Sequence, residues 1–453
     1  MSAAATTGSS VQAYINHVNP QWVRLLNLLQ MQTEYGLCLG AELHTTRGDV
    51  ILDFLSGYCV HNTGHNHPAI VEALHAELDR RGPVMLQSHV PDLAGELARR
   101  LCELAGGNLQ KAFFACSGSE GVEAAIKFAR ATTMREGILF CDGAFHGLTC
   151  GALSLMSDAF WRGKFGPMLA ATSGIPFGDL AALEERLKSR AYAAFIVEPV
   201  QSEAGIVVPP QAYLREAKAL CAKYGTLFVL DEVQTGMYRT GHFLAAHHFD
   251  VDPDMVILAK ALSGGLVPVS AVLMTDKIYS SVYDSLKRSI IHTSTFSENA
   301  LSMRAGLATL DVLAEERLGP KALASGDELR NRLRTELSDY EMVEEIRGLG
   351  MLSGVVFRAP KSLRLRLSFE SFRRIHPAMF GQVMVMRMFR EQRVLTQMCG
   401  NNFMVLKVAP PLVITSHQID RFVSAIHEVV DQAHHSTEFW AEALGLTQRA
   451  INV

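Results

Sequence analysis

Short, nearly unbroken apolar runs recur through the middle of this chain, each closed by small or polar residues. Ala112–Ala115 (AFFA), Ile138–Cys141, Ala193–Val197 (AAFIV), Leu227–Leu230 and Val256–Ala259 are of this type. Runs this short, edged by turn residues, predict buried strands. Helical stretches such as Gly121–Ala131 and Pro210–Tyr224 lie between them. Such alternation, continued to about residue 270, predicts a mostly parallel sheet with helices on both faces. Ligands of such sheets bind at the carboxyl ends of the strands.

The flanks read differently. Residues 1 to about 20 are small and polar and predict a segment that is disordered or draped on a partner. Trp22–Leu29 has the spacing of a short amphipathic helix. Ala41–Thr46 and Val50–Phe54, separated by Arg47-Gly48-Asp49, form a hairpin signal. Helices are expected from Pro68 and over Pro91–Leu104. Two more, Ser297–Glu315 and Lys321–Leu337, precede strand-like pieces near Met342–Ile346, Gly354–Phe357, Val394–Thr396 and Val405–Val408, and a terminal helix over Gln418–His434. The expected division is an N-terminal segment (1–60) packing on the small domain or a dimer partner, a large α/β domain (61–315) and a smaller α+β domain (316–453). An insertion at about 360–388 mixes Lys361, Arg364, Arg366, Arg373, Arg374 and Arg387 with Phe369, Phe372, Met379, Phe380, Met384 and Met386. It reads as an amphipathic helix pair capping the small domain, or as a lid whose methionines adapt to a bulky apolar ligand.

Composition narrows the class. A hydrophobic share of 48% excludes a disordered chain. A net charge of -4 gives no electrostatic case for nucleic acid. No apolar run reaches membrane-spanning length, and MSAAATTGSS has no secretory pattern. None of the eight cysteines forms a CxxC pair, and they suit reduced core thiols in a cytoplasmic setting. His61, His65 and His67 lie in one loop, GYCVHNTGHNHP. No cysteine or carboxylate completes a ligand set at usable spacing, so no metal is expected and a ligand-facing or interface loop is.

The candidate chemistry sits at the strand ends. Val256–Ala259 runs into Lys260 and then Ser263-Gly264-Gly265. A strand-end lysine is, by itself, more often a surface residue. Held half out of water, it is an amine that can lose its proton and attack a carbonyl. AFFA ends in Cys116-Ser117-Gly118-Ser119-Glu120-Gly121, either a phosphate-binding turn or an ordinary helix cap. Phe145, with His146 and Gly147 after it, either packs in the core or lies flat on a planar ring. Glu198 follows AAFIV. Asp231 follows Leu227–Leu230 and either caps a turn or keeps a ring nitrogen protonated. A phosphate turn, a flat aromatic, a carboxylate and a lysine at the ends of one sheet are together what a pyridoxal 5'-phosphate site requires.

At this point the chain resembles the class III aminotransferases of pyridoxal-phosphate fold type I, acetylornithine, ornithine and 4-aminobutyrate aminotransferases among them. The resemblance runs from about Tyr35 to His427. It rests on GHNHP (Gly64–Pro68), CSGSEGVEAAIKFAR (Cys116–Arg130), AFHG (Ala144–Gly147), EPVQSEAG (Glu198–Gly205), LDEVQTGMYRTG (Leu230–Gly241), LAKALSGG (Leu258–Gly265), HTSTFSEN (His292–Asn299) and APPL (Ala409–Leu412). It implies Lys260 as the Schiff-base lysine and Asp231 as partner of the pyridine nitrogen. Gln234 is implied near the ring hydroxyl, Phe145 on the ring with His146 beside it, and Ser117, Gly118 and Ser119 at the phosphate. Thr295 is implied to reach the phosphate in the other subunit of a homodimer.

Three departures touch specificity. Leu148 stands where the family often has a carboxylate-binding arginine. Lys407 stands two positions before APPL, where a second arginine is usual, and keeps charge without bidentate recognition. Ser297-Glu298-Asn299 replaces the usual GGN. Glu203 matches the glutamate that pairs with that second arginine, so a Glu203–Lys407 pair that opens for a carboxylate is expected. The implied reaction is ping-pong transamination between an amino-acid donor such as glutamate and a carbonyl acceptor with a sizeable apolar part. An aminomutase, racemase or decarboxylase on the same fold is the enzymatic alternative. A catalytically silent cofactor-binding protein is the other, and Lys260 together with Asp231 counts against it.

Overall fold

The computed structural model describes residues 4–86 and 88–451. Three sheets organise it. β1 (Tyr35–Leu39), β2 (Glu42–Thr45) and β3 (Val50–Asp53) come first. β4 (Lys111–Ala115), β5 (Gly137–Cys141), β6 (Thr172–Ile175), β7 (Tyr192–Val197), β8 (Leu227–Asp231), β9 (Met255–Leu258) and β10 (Ser270–Met274) follow. The last are β11 (Val343–Leu349), β12 (Leu352–Phe357), β13 (Val394–Leu395), β14 (Gln397–Cys399) and β15 (Asn402–Val408).

The central sheet has the order β4-β10-β9-β8-β7-β5-β6. β6, β5, β7, β8 and β9 pair in parallel, while β10 runs antiparallel to both β9 and β4. The strands are buried on both faces, so they read as continuous apolar runs, yet period-2 geometry still sorts their side chains. Phe195, Val197, Phe228, Leu230, Val256, Leu258, Ala271 and Leu273 enter one core. Their alternates Ala194, Ile196, Val229, Met255, Ile257, Val272 and Met274 enter a second core under the helix Gly118–Thr133. The first core continues into the helices Asp92–Ala105, Tyr213–Tyr224 and Ala300–Glu315.

The antiparallel sheet β11-β12-β15-β14 carries the C-terminal portion, with the helices Leu318–Glu336 and Met379–Arg390 packed against it and the helix Ser416–His435 packed on both of them. The N-terminal sheet is completed from far along the chain: β13 pairs in parallel with β3. Segment 4–17 is helical over Ala4–His17, which corrects the expectation of an unstructured start. Segment 360–388 is a helix pair, Leu363–Ile375 and Met379–Arg390. Phe369, Phe372, Phe380, Met384 and Met386 are all buried in the core, which removes the physical basis for a ligand-facing lid. An unanticipated helix, Thr437–Ile451, brings Trp440 within 4.7 Å of the Phe372 ring and seals that pair.

Candidate active site

Five parallel strands end on one cleft of about 460 Å³, within the size range of small-molecule sites. β4 contributes Cys116–Ser119, β5 contributes Phe145–Gly147, β7 contributes Glu198, β8 contributes Asp231, Val233 and Gln234, and β9 contributes Lys260. Because β10 runs the other way, its amino end meets these carboxyl ends and adds Gly265–Val269.

Lys260 leaves β9 on a left-handed backbone, φ +47°. That conformation is unfavourable for a side-chain-bearing residue by about 1–3 kcal/mol and persists only where the surroundings impose it. Desolvation by the cleft walls holds its amine below the ordinary lysine range, against the opposing pull of Asp231. Asp231 Oδ2 lies 2.7 Å from His146 Nδ1, and its Oδ1 accepts from Val233 N. Burial disfavours a charged His146. The hydrogen bond to Asp231 and the nearby charges of Asp231 and Glu198 outweigh it and hold the imidazole above its usual value. His146 Nε2 is buried without a partner.

The turn after β4 is both a cap and an anion cradle. Ser117 Oγ accepts from Glu120 N, and Glu120 Oε2 accepts from the amides of Cys116 and Ser117. Ser117 therefore lines the cleft with its polar groups already engaged. The amides of Gly118 and Ser119 open the helix and have no acceptor within it. Gly147 has φ +119°, and a Cβ there would sit 2.5 Å from Ser119 Oγ. Only glycine lets the β5 loop lie this close to the turn. Ser119 Oγ also meets Thr149 Oγ1 at 2.8 Å.

Glu203 and Lys407 form the expected ion pair behind the cleft, with the Lys407 side chain fully buried. Gln234 links the pair to the cleft, its Nε2 donating to Glu203 Oε1 at 3.1 Å while its Oε1 has no partner. Burial opposes both charges. Lys407 nonetheless holds the Glu203 carboxyl below its usual range, and Glu203 holds the Lys407 amine above its own. Leu148 lies outside the cleft and is exposed. Thr295 also lies outside it, exposed in a separate groove with Val84, Met85, Leu86 and Ile290. His65 and His67 bond carboxylates, Asp53 and Glu316.

One contributor was noted in the sequence without a role, and another was missed. Glu198 accepts from Phe145 N and Ser202 N. Burial pushes its carboxyl up to about 7, although His146 opposes the shift. Its position directly after AAFIV was the available signal. Trp161 stands edge-on to Phe145, ring centroids 5.2 Å apart, and no local pattern announces it.

The class-III aminotransferase family model matches residues 30–430. The aminotransferase PigE of Serratia sp. (strain ATCC 39006) is 33% identical across 93% of this chain, which spans only 53% of that protein's length. The crystal structure of the ornithine aminotransferase from Toxoplasma gondii ME49 superposes with a TM-score of 0.80 at 30% identity, covering 89% of this chain and 91% of that one. The acetylornithine aminotransferase of Elizabethkingia anophelis does so with 0.70 at 31%, covering 88% and 94%.

Proposed function

We propose, from the premise that this chain belongs to the class-III aminotransferase family, that it moves an amino group from an amine donor to an aldehyde or ketone acceptor in two half-reactions at Lys260. Pyridoxal 5'-phosphate is the family's cofactor, and the residues present fit it. The unpartnered Gln234 Oε1 in the cleft wall, the free amides of Gly118 and Ser119 and the Gly147 cradle suit its polar and phosphate groups. When bound it supplies an aldehyde for the lysine and a ring that takes up electrons from the substrate carbon.

The chain's own groups do the rest. Lys260 Nζ, kept short of protons by desolvation, would hold the cofactor's aldehyde and, when free, would serve as base and then acid toward the donor carbon. Asp231, steadied by His146, would hold the ring nitrogen protonated. Phe145 and Gln234 would hold the ring face and hydroxyl.

No arginine lines the cleft among the described residues, and Leu148, where the resemblance leads one to expect an arginine, lies exposed outside it. This favours an acceptor with a sizeable apolar part. A donor carboxylate, as in glutamate, would enter by displacing Glu203 from Lys407. The exposed groove holding Thr295, with Ile290 78% exposed, supports a homodimer in which Thr295 reaches the partner's phosphate site. Cysteines that are all free support a cytoplasmic setting. Among the described residues no helix is long and apolar enough to cross a membrane.

The observation that carries the reading is a desolvated strand-end lysine in the same cleft as the Asp231–His146 pair. The test offers amines and amino acids singly to the holoenzyme and follows cofactor absorbance. Wild type is expected to bleach with its donor. Lys260→Ala is expected to retain cofactor weakly and lose turnover, and near-wild-type turnover in that variant would sink the proposal.

A further inference from the structure

The turn Gly400–Asn401 clasps Glu203. Gly400 N donates to Glu203 Oε2 at 2.8 Å, and Asn401 N donates to Glu203 O at 2.9 Å. The carboxylate thus accepts from Lys407 Nζ, Gln234 Nε2 and Gly400 N together. The turn is in turn fastened to segments of the large sheet. Trp161 Nε1 donates to Asn401 Oδ1 at 2.7 Å, and Asn401 Nδ2 donates to Gly143 O at 2.9 Å. There is no slack between these parts. A Cβ on Gly400 would lie 2.9 Å from Glu203 Oε2 and 3.5 Å from Trp161 Cζ2.

We infer that Trp161 and Asn401 form a latch that keeps the Glu203–Lys407 pair shut, making Trp161 a positioning residue for discrimination between carboxylate-bearing and neutral ligands. The inference rests on the reading above that Lys407 receives a substrate carboxylate. The Lys407 ammonium has three donors but is fully buried, and Glu203 stands between it and Gln234 of the cleft wall. A carboxylate entering from the cleft therefore has to move Glu203 aside to reach Lys407. Glu203 leaves only by breaking the Gly400 N hydrogen bond in a tightly packed turn, and the Trp161 and Gly143 hydrogen bonds of Asn401 keep that turn from yielding. Ligands with no carboxylate at that end leave the latch untouched.

The test is equilibrium binding to the holoenzyme by calorimetry. Glutarate, which carries carboxylates and no amine, is the probe, and hexanamide is the neutral control. Trp161→Phe keeps a ring against Phe145 and removes one N–H. It is expected to tighten glutarate binding about fivefold, the worth of one released hydrogen bond, with hexanamide unchanged. Asn401→Ala is expected to act in the same direction, and adding Lys407→Met to Trp161→Phe is expected to abolish the gain. Unchanged or weaker glutarate binding, or a parallel change for both ligands as a merely loosened wall would give, overturns the latch. Transamination is judged separately, by bleaching with amines. A protein that never bleaches yet shows the glutarate gain loses that reading and keeps the latch.

Discussion

Replacing Glu203 by glutamine isolates the energetics of the buried pair. Lys407 has no exposed surface and, among the described residues, Glu203 is its hydrogen-bonding partner, with the Tyr58 ring 5.3 Å away. Loss of the carboxylate leaves an ammonium in the interior without its counter-charge, a change that costs about 3–5 kcal/mol in comparable settings. The glutamine can turn its oxygen to Lys407 and Gln234, which keeps those hydrogen bonds. Its NH2 then faces Gly400 N–H, donor against donor, so the full range applies. The pH dependence follows. In the native pair the Lys407 amine is held above its ordinary value, so its stabilisation is complete below the unfolded lysine pKa and is lost as pH rises through the folded one. In Glu203→Gln, burial is opposed only by Cys399 and Cys59 and pulls the amine down toward or below its ordinary value. With the amine below it, the unfolded state binds the proton more readily, and stability rises with pH toward the unfolded value of about 10.4. Urea unfolding at fixed cofactor concentration, followed by tryptophan fluorescence, measures both effects. The double variant Glu203→Gln/Lys407→Met is expected to recover most of the loss. A loss under about 1 kcal/mol, or a double variant no more stable than the single, refutes the reasoning.

Two further outcomes are expected. Gly147→Ala forces a Cβ to 2.5 Å from Ser119 Oγ at φ +119°; strain of about 1–3 kcal/mol should displace the phosphate turn and weaken cofactor retention about tenfold or more, read by dialysis, while retention equal to wild type would show that the turn does not hold the phosphate. Glu198 keeps its proton up to about pH 7 in the folded state, so it stabilises the fold below the unfolded carboxylate value and this contribution is lost as pH rises to about 7; Glu198→Gln should flatten that part of the stability-against-pH curve, and an unchanged slope would assign it to other groups.

Legibility in the sequence followed how local the physics was. Lys260 and Asp231 each end an apolar run, and a parallel sheet delivers every such end to one edge, so reading the runs located the cleft. β10 was missed although SAVLM is as apolar as its neighbours. Its antiparallel direction is a property of the sheet and leaves no mark on the segment, so Gly265–Val269 could not be placed in the cleft. β6 was missed because Thr172–Ile175 is short and weakly patterned. Ala4–His17 was not read as a helix because its composition is small and polar, and its described side chains, residues 11–17, are mostly exposed, so no apolar stripe marks it.

The same division runs through the site. Residues that act through their own backbone position were visible one at a time. Residues that act through contacts across the fold were not: Trp161 and Asn401 are 240 residues apart, and nothing in either neighbourhood refers to the other. Glu203 and Lys407 were found only because the resemblance pairs them: Glu203 matches the family's glutamate and Lys407 departs from its arginine. The pair alone cannot say whether it opens. That depends on how firmly its surroundings grip Glu203, whose carboxylate has three donors; under the proposed carboxylate role of Lys407, specificity would then follow the cost of moving Gly400–Asn401 as much as the identity of residue 407.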